Sequence, residues 1–416
     1  MSNIPHPEPA RSAESKDAAL LAHPPYVLFW FARGFSSFAF QMSAVATGWL
    51  VYDRTHNAYA LGLVGLAQFL PMLLMSIPAG QLADRFDRRR ILTVCQLFEA
   101  TALASIALGV IFGPISLAHI YVAVVVLGAA RACEQPTSAA LLPLLVPRAI
   151  LQRAVALSSS ANQTANIVGP AAGGLFYALG AAVPFALAAG LVFAASVLVT
   201  LIRVARPQRT REPTTLRSAF SGLAFIWERK VILGAVSLDL FAVLLGGATA
   251  LLPIYARDIL AIGPWGLGLL RSAPAVGALS MSLVLSRLAL RRHVGAMMFG
   301  SVIAFGAAIF VFALSRNLPL SILALACTGA ADNISVVIRS SLVQLQTPDD
   351  MRGRVSAVNS LFIGTSNQLG EFWSGTLAGV MGAVPALTLG GCATIAVALV
   401  WMRLFPALRR MQTLAG

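Results

Sequence analysis

The sequence predicts an all-α integral membrane protein with twelve transmembrane helices arranged as two parallel six-helix halves. Three observations lead there. The first is composition. Of 416 residues, 58% are hydrophobic and only 11% charged, where a soluble domain carries about 25% charged residues. The second is run length. Apolar stretches at roughly 26–51, 59–81, 91–112, 118–142, 154–179, 183–203, 231–254, 265–289, 294–314, 318–345, 355–380 and 384–405 suit membrane helices and are too long for barrel strands. The third is an internal repeat. Residues 128–190 align without a gap on 329–391. Gly128, Pro147, Arg153, Thr164, Asn166, Gly169, Gly174 and Pro184 meet Gly329, Pro348, Arg354, Thr365, Asn367, Gly370, Gly375 and Pro385. A parallel repeat pairs spans 4 to 6 with spans 10 to 12.

Basic residues set the orientation. With the N-terminus inside, most of the 30 Lys and Arg fall in inner segments, and the outer loops hold only Arg54, Arg257 and Arg316. This asymmetry places both termini in the cytoplasm. Residues 1–25 read as a polar cytoplasmic tail, 26–203 as the first six-helix half, 204–230 as a cytoplasmic linker, 231–405 as the second half and 406–416 as a second tail. In the linker, Leu216, Phe220, Leu223 and Trp227 recur at helical spacing, which suits a helix lying on the inner membrane surface.

Other function classes find little support. The net charge of +14 is spread over short loops between apolar runs and forms no basic face, so nucleic acid is not an expected partner. Cys95, Cys133, Cys327 and Cys392 all lie in apolar runs without a CxxC, and are expected as buried thiols. The five histidines are scattered, and no metal or cofactor site is readable. No GxxxxGK[ST] phosphate loop occurs, and the only lysines are Lys16 and Lys230, so ATP-driven transport is not expected. No nucleophile–base pair suggests an enzyme.

Charges at membrane depth are the candidates for chemistry. Arg33, Arg131, Glu134, Asp239 and Asp332 lie inside spans 1, 4, 7 and 10. A charge at mid-membrane costs about 2.5–3.5 kcal/mol on insertion scales, so each is expected to face the bundle interior or a cavity. Arg131 and Glu134 are three apart and can pair on one helix face. Asp239 and Asp332 are the leading candidates for a carboxylate that loads and releases a proton, with static ion pairing as the competing account. Glu99 and Glu371 sit on spans 3 and 11, which makes them weaker candidates. Arg271 and Arg339 sit near span ends, where snorkelling to the interface is expected.

Two motifs carry a family resemblance. Gly80-Gln-Leu-Ala-Asp84-Arg85-Phe-Asp-Arg88-Arg89-Arg90 joins spans 2 and 3 in a tight basic turn. It resembles the corresponding loop of the major facilitator superfamily, with Asp87 where that family usually has Gly. Gly169-Pro170-Ala-Ala-Gly173-Gly174 in span 5 resembles the end of the signature of its proton-coupled exporters, and also suits plain close packing of helices. Gln135-Pro136-Thr137, Leu142-Pro143, Leu252-Pro253 and Arg352-Gly353-Arg354-Val355 are similar to the branch of the transmembrane secretion effectors and enterobactin exporters.

The resemblance implies a bacterial inner-membrane protein with a central cavity, working by alternating access as a monomer on a small-molecule substrate and protons. It implies that spans 1, 4, 7 and 10 line the cavity. It also implies that Gly80, Asp84, Arg85, Arg88 and Arg89 act as a gate, with Asp84 docking near Arg354. The function it implies is export of a mid-sized organic molecule, a siderophore or toxic compound. Multidrug or antibiotic efflux is the alternative, and a lysophospholipid flippase or an uptake carrier is a further one.

Overall fold

The structure, a computed structural model, describes residues 20, 23–113, 115–203, 216–287 and 293–413. The long helices are α1 (Pro24–Thr55), α2 (Ala58–Arg85), α3 (Arg88–Phe112), α4 (Leu117–Leu141), α5 (Leu151–Leu179), α6 (Val183–Leu201), α7 (Lys230–Gly246), α8 (Gly263–Arg287), α9 (Val294–Leu314), α10 (Leu318–Gln346), α11 (Asp349–Met381) and α12 (Ala383–Leu404). The described residues contain no strand.

Helix ends follow local chemistry. α1 opens on Pro24 and Pro25, whose fixed φ suits the first turn. Asn57, Asp87, Ser116 and Asn317 cap α2, α3, α4 and α10, each side chain accepting from a first-turn N–H. α11 starts earlier than the apolar run suggests, at Asp349 directly after Pro348, because its first turns are polar. α7 breaks at Gly247 and resumes in short turns that include a π-helical segment, Tyr255–Ile259.

Nine helices among the described residues are long and apolar enough to cross a membrane. α1, α5 and α11 are outside that set, and their composition explains it. α1 carries Arg33, Ser36, Ser37 and Gln41, while α5 carries Ser158, Asn162, Gln163 and Asn166.

Pairings repeat along the chain. α2 packs on α4, α1 on α5 and α6, and α3 on α4 and α6. Raising every number by six gives pairings that also occur: α8 with α10, α7 with α11 and α12, and α9 with α10 and α12. α5 with α8, and α2 with α11, are the extensive contacts that join the two sets. The short helix Leu216–Glu228 packs on α11. Its Ile226 is buried with Ile232, Val343 and Val355, whereas Leu223 and Trp227 point outward, Trp227 being 71% exposed. The predicted surface stripe is thus one of two apolar faces. The side chains of Leu216 and Phe220 lie outside the description.

Two expectations are corrected. Cys95 is buried, but Cys133 is half-buried and Cys327 and Cys392 are exposed. In an apolar solvent a thiol has no need of burial by protein. Arg339 does not snorkel, as described below.

Candidate functional site

α1, α4 and α5 enclose a cavity of about 410 Å³. Its charged lining residues are Arg33, Arg131 and Glu134, and Ser36, Ser37, Gln41, Asn162 and Asn166 supply most of the rest. These positions follow helical spacing. Ser37 and Gln41 are four apart on α1, and Asn162 and Asn166 are four apart on α5. The two rows face each other: the Ser37 hydroxyl donates to Asn162 Oδ1 at 2.9 Å, and Gln41 Nε2 donates to Asn166 Oδ1 at 2.7 Å. This matched polar spacing is a signal legible in the sequence, and a search for charges alone passes over it.

Glu134 organises the charged wall. It accepts from Ser36 Oγ at 2.8 Å, Gln96 Nε2 at 3.1 Å and Arg131 Nη1 at 2.7 Å. The expected Arg131–Glu134 pair therefore forms. Phe40 lies under the Arg131 guanidinium, 4.7 Å from its centre. Glu99 of α3, set aside on sequence grounds, is buried with its carboxyl beside that of Glu134.

Asp239 and Asp332 belong to a second group, between α7 and α10. Arg339 donates to Asp239, and both side chains are closed to solvent. Asp332 lies two turns from Arg339 on α10 and within electrostatic reach of both members of that pair. Proximity in sequence to the end of α10 suggested snorkelling for Arg339. The carboxylate on the neighbouring helix holds it inside instead. Arg271 of α8 and Glu371 of α11 lie within electrostatic reach of each other.

The glycine motif of α5 makes close contacts on two sides. A Cβ on Gly169 would meet Gln41 and Phe38 of α1, and one on Gly173 would lie 2.5 Å from the Met42 carbonyl oxygen. A Cβ on Gly174 would lie 2.2 Å from the Pro264 carbonyl oxygen of α8. The Pro170 carbonyl oxygen is itself against Gly268 of α8.

In the basic turn, Asp87 caps α3 and takes a bidentate grip from Arg89, at 3.2 Å through Nε and 2.8 Å through Nη2. These bonds hold its carboxyl below the ordinary range. Arg89 also donates to the Ile202 carbonyl at the end of α6, and Arg88 to the Ala140 carbonyl in the last turn of α4. Both arginines thus satisfy carbonyls left free at helix C-termini. The surroundings of Gly80 and the side chains of Asp84 and Arg85 lie outside the description.

At the far end of α1, Tyr52 donates to Asp258 and Arg257 donates to Asp53, which ties α1 to the π-helical turn after α7. Arg33 and Asp53 are about 30 Å apart along α1. The cavity and this clasp therefore sit toward opposite ends of the bundle.

Comparisons with known proteins agree with this architecture. A family model described as transmembrane secretion effector matches residues 16–415. The multidrug efflux pump Tap of Mycobacterium tuberculosis is 28% identical over 404 residues, covering 93% of this chain and 95% of that protein. The enterobactin exporter EntS of Citrobacter koseri is 26% identical over 399 residues, covering 94% of each. Among solved structures, a point mutant of the nucleoside transporter NupG superposes with a TM-score of 0.75 at 12% identity, over 92% of this chain and all of that one. A bacterial homologue of the lysosomal transporter Spinster gives 0.69 at 13% identity, over 93% of this chain and 95% of that one. At such identities these two likenesses speak for the fold alone.

Proposed function

Because this chain belongs to the transmembrane secretion effector family of major facilitator transporters, we propose that it is a proton-coupled exporter of a mid-sized organic molecule, working by alternating access. Membership makes it a membrane transporter and not an enzyme. The observation that supports the reading is a cavity lined by charged and polar side chains of α1, α4 and α5, with α1 tied at its other end to the turn after α7.

In this reading residues 26–203 and 231–405 are two six-helix halves, 204–230 links them, and the tails 1–25 and 406–416 are cytoplasmic. The recurrence of helix pairings at a step of six supports it. The cavity then opens to the cytoplasm and the Tyr52–Asp258 clasp closes the outer side of the inner membrane. Asp239 and Asp332 are the proton-coupling carboxylates, with Arg339 as the cation that either can hold. A partner that can exchange between two carboxylates lets one accept a proton as the other is neutralised. Asp84, with Gly80, Arg85, Arg88 and Arg89, forms the inner gate. Gly169, Pro170, Gly173 and Gly174 form the surface on which the halves rock. The protein acts as a monomer.

The enterobactin exporter among its relatives makes a siderophore the first substrate to test. The source organism is grown under iron starvation with and without this gene, and iron chelator is measured separately in medium and cells. Loss from the medium with build-up inside supports siderophore export. Unchanged secretion removes the siderophore, and multidrug efflux, suggested by the efflux-pump relative, becomes the reading to pursue.

A further inference from the structure

Resting on the exporter reading, we propose that the cavity between α1, α4 and α5 binds an organic anion, with Arg33 as the group that takes its negative charge. The lining holds two guanidinium groups, Arg33 and Arg131, and one carboxylate, Glu134. Glu134 is already committed, since Arg131, Ser36 and Gln96 all donate to it. Among the described residues Arg33 makes no hydrogen bond and no ion pair, and Arg131 and Glu134 are the charges within its reach.

A second observation points the same way. Arg131 is held by Glu134 and stacked on Phe40, yet its Nε–H is buried without an acceptor. Within the lining two cations face one carboxylate, the Glu99 carboxyl lying beside Glu134 and outside the lining, so the cavity wall presents an excess of positive charge and spare N–H donors. In a low-dielectric site such a charge is costly until an anion arrives. A guanidinium presents paired N–H donors in a plane that matches a carboxylate or a similar oxyanion. The neutral part of the lining, Ser37 with Asn162 and Gln41 with Asn166, is paired internally. It offers polar contact and no opposing charge. A cavity of about 410 Å³ takes a small organic molecule rather than a bare inorganic ion.

The test uses the full-length purified protein and two fluorescent aromatic probes of opposite charge, fluorescein as the anion and ethidium as the cation. Binding is read by fluorescence anisotropy. The wild type is expected to bind fluorescein more tightly than ethidium. Arg33→Gln, checked for folding by its thermal transition, is expected to weaken fluorescein binding about tenfold or more, and Arg33→Lys to restore part of it. Equal or tighter binding of ethidium by the wild type overturns the proposal without recourse to any variant. So does fluorescein affinity that is unchanged in a folded Arg33→Gln protein, or no binding of fluorescein at all. Inverted membrane vesicles separate this from the exporter reading. Energised uptake of either dye without an anion preference keeps the exporter and removes the anion site. Anion-selective binding with no movement across the vesicle keeps the site and removes the exporter.

Discussion

Arg339 of α10 reaches across to Asp239 of α7 and forms an ion pair that solvent does not touch. Removing one member of a buried pair strands the other charge, at a cost of about 3–5 kcal/mol, whereas removing both costs far less. Arg339→Gln is therefore expected to lower the unfolding temperature sharply, and Asp239→Asn combined with Arg339→Gln to recover most of the loss. Thermal unfolding of the purified proteins decides it. A double variant as unstable as the sum of the singles would show that the pair is not coupled.

Asp332 feels both charges of that pair but makes no ion pair of its own among the described residues. Asp332→Asn is expected to abolish transport driven by a pH gradient while leaving substrate exchange across vesicles intact. Gradient-driven transport that persists in both Asp332→Asn and Asp239→Asn would move proton coupling elsewhere, with Glu99 and Glu134 next in line.

The clasp at the far end of α1 depends on Arg257 and Asp53. Gly48 lies just inside it, where an added Cβ would sit 3.4 Å from Pro253 Cγ. With the four native cysteines replaced, Gly48→Cys is expected to react slowly with an externally added, membrane-impermeant maleimide. Adding Arg257→Gln should speed labelling several-fold by favouring the state open at that end. Equal rates would mean that the ion pair does not hold the closure.

Gly173 and Gly174 have no room for a side chain, since backbone oxygens stand 2.5 and 2.2 Å from the added Cβ positions. Either glycine changed to Ala is expected to cost about 1–3 kcal/mol through overpacking. Gly190, with nothing within 4 Å, should gain about 0.5–1 kcal/mol on the same change. Comparing the three melting temperatures tests whether the motif is a packing surface.

Asp87 is held below its ordinary pKa, first by the Arg89 hydrogen bonds. A carboxyl lowered in the folded state contributes stability above its unfolded pKa, about 3.9. That contribution fades as pH falls through the folded value. Asp87→Ala is expected to cost about 1 kcal/mol at pH 7, as for the loss of a helix cap. The difference from wild type should shrink below about pH 4. A gap that stays constant into acid would mean that charge plays no part in the cap.

Much of this was readable in the chain. Apolar run lengths located the helices because a membrane leaves backbone groups no partner outside their own helix. The three-residue spacing of Arg131 and Glu134 placed both on one face of α4, and they pair. The pairing of Arg339 is not legible in the chain, because distance along a helix says nothing of the carboxylate that the next helix brings. Glu99 looked remote from the cavity for the same reason, until α3 and α4 packed together and set it beside Glu134.

The sequence by itself determined an all-helical membrane chain, its family and the turn chemistry between helices. Those properties follow from local hydropathy, spacing and caps, which act over a few residues. Tertiary structure alone decided which charges meet. It grouped Arg33, Arg131 and Glu134 around one cavity and set Asp239, Asp332 and Arg339 apart from them. A buried charge is stabilised by whichever partner lies within a few ångströms, and helix packing sets that distance whatever the separation along the chain.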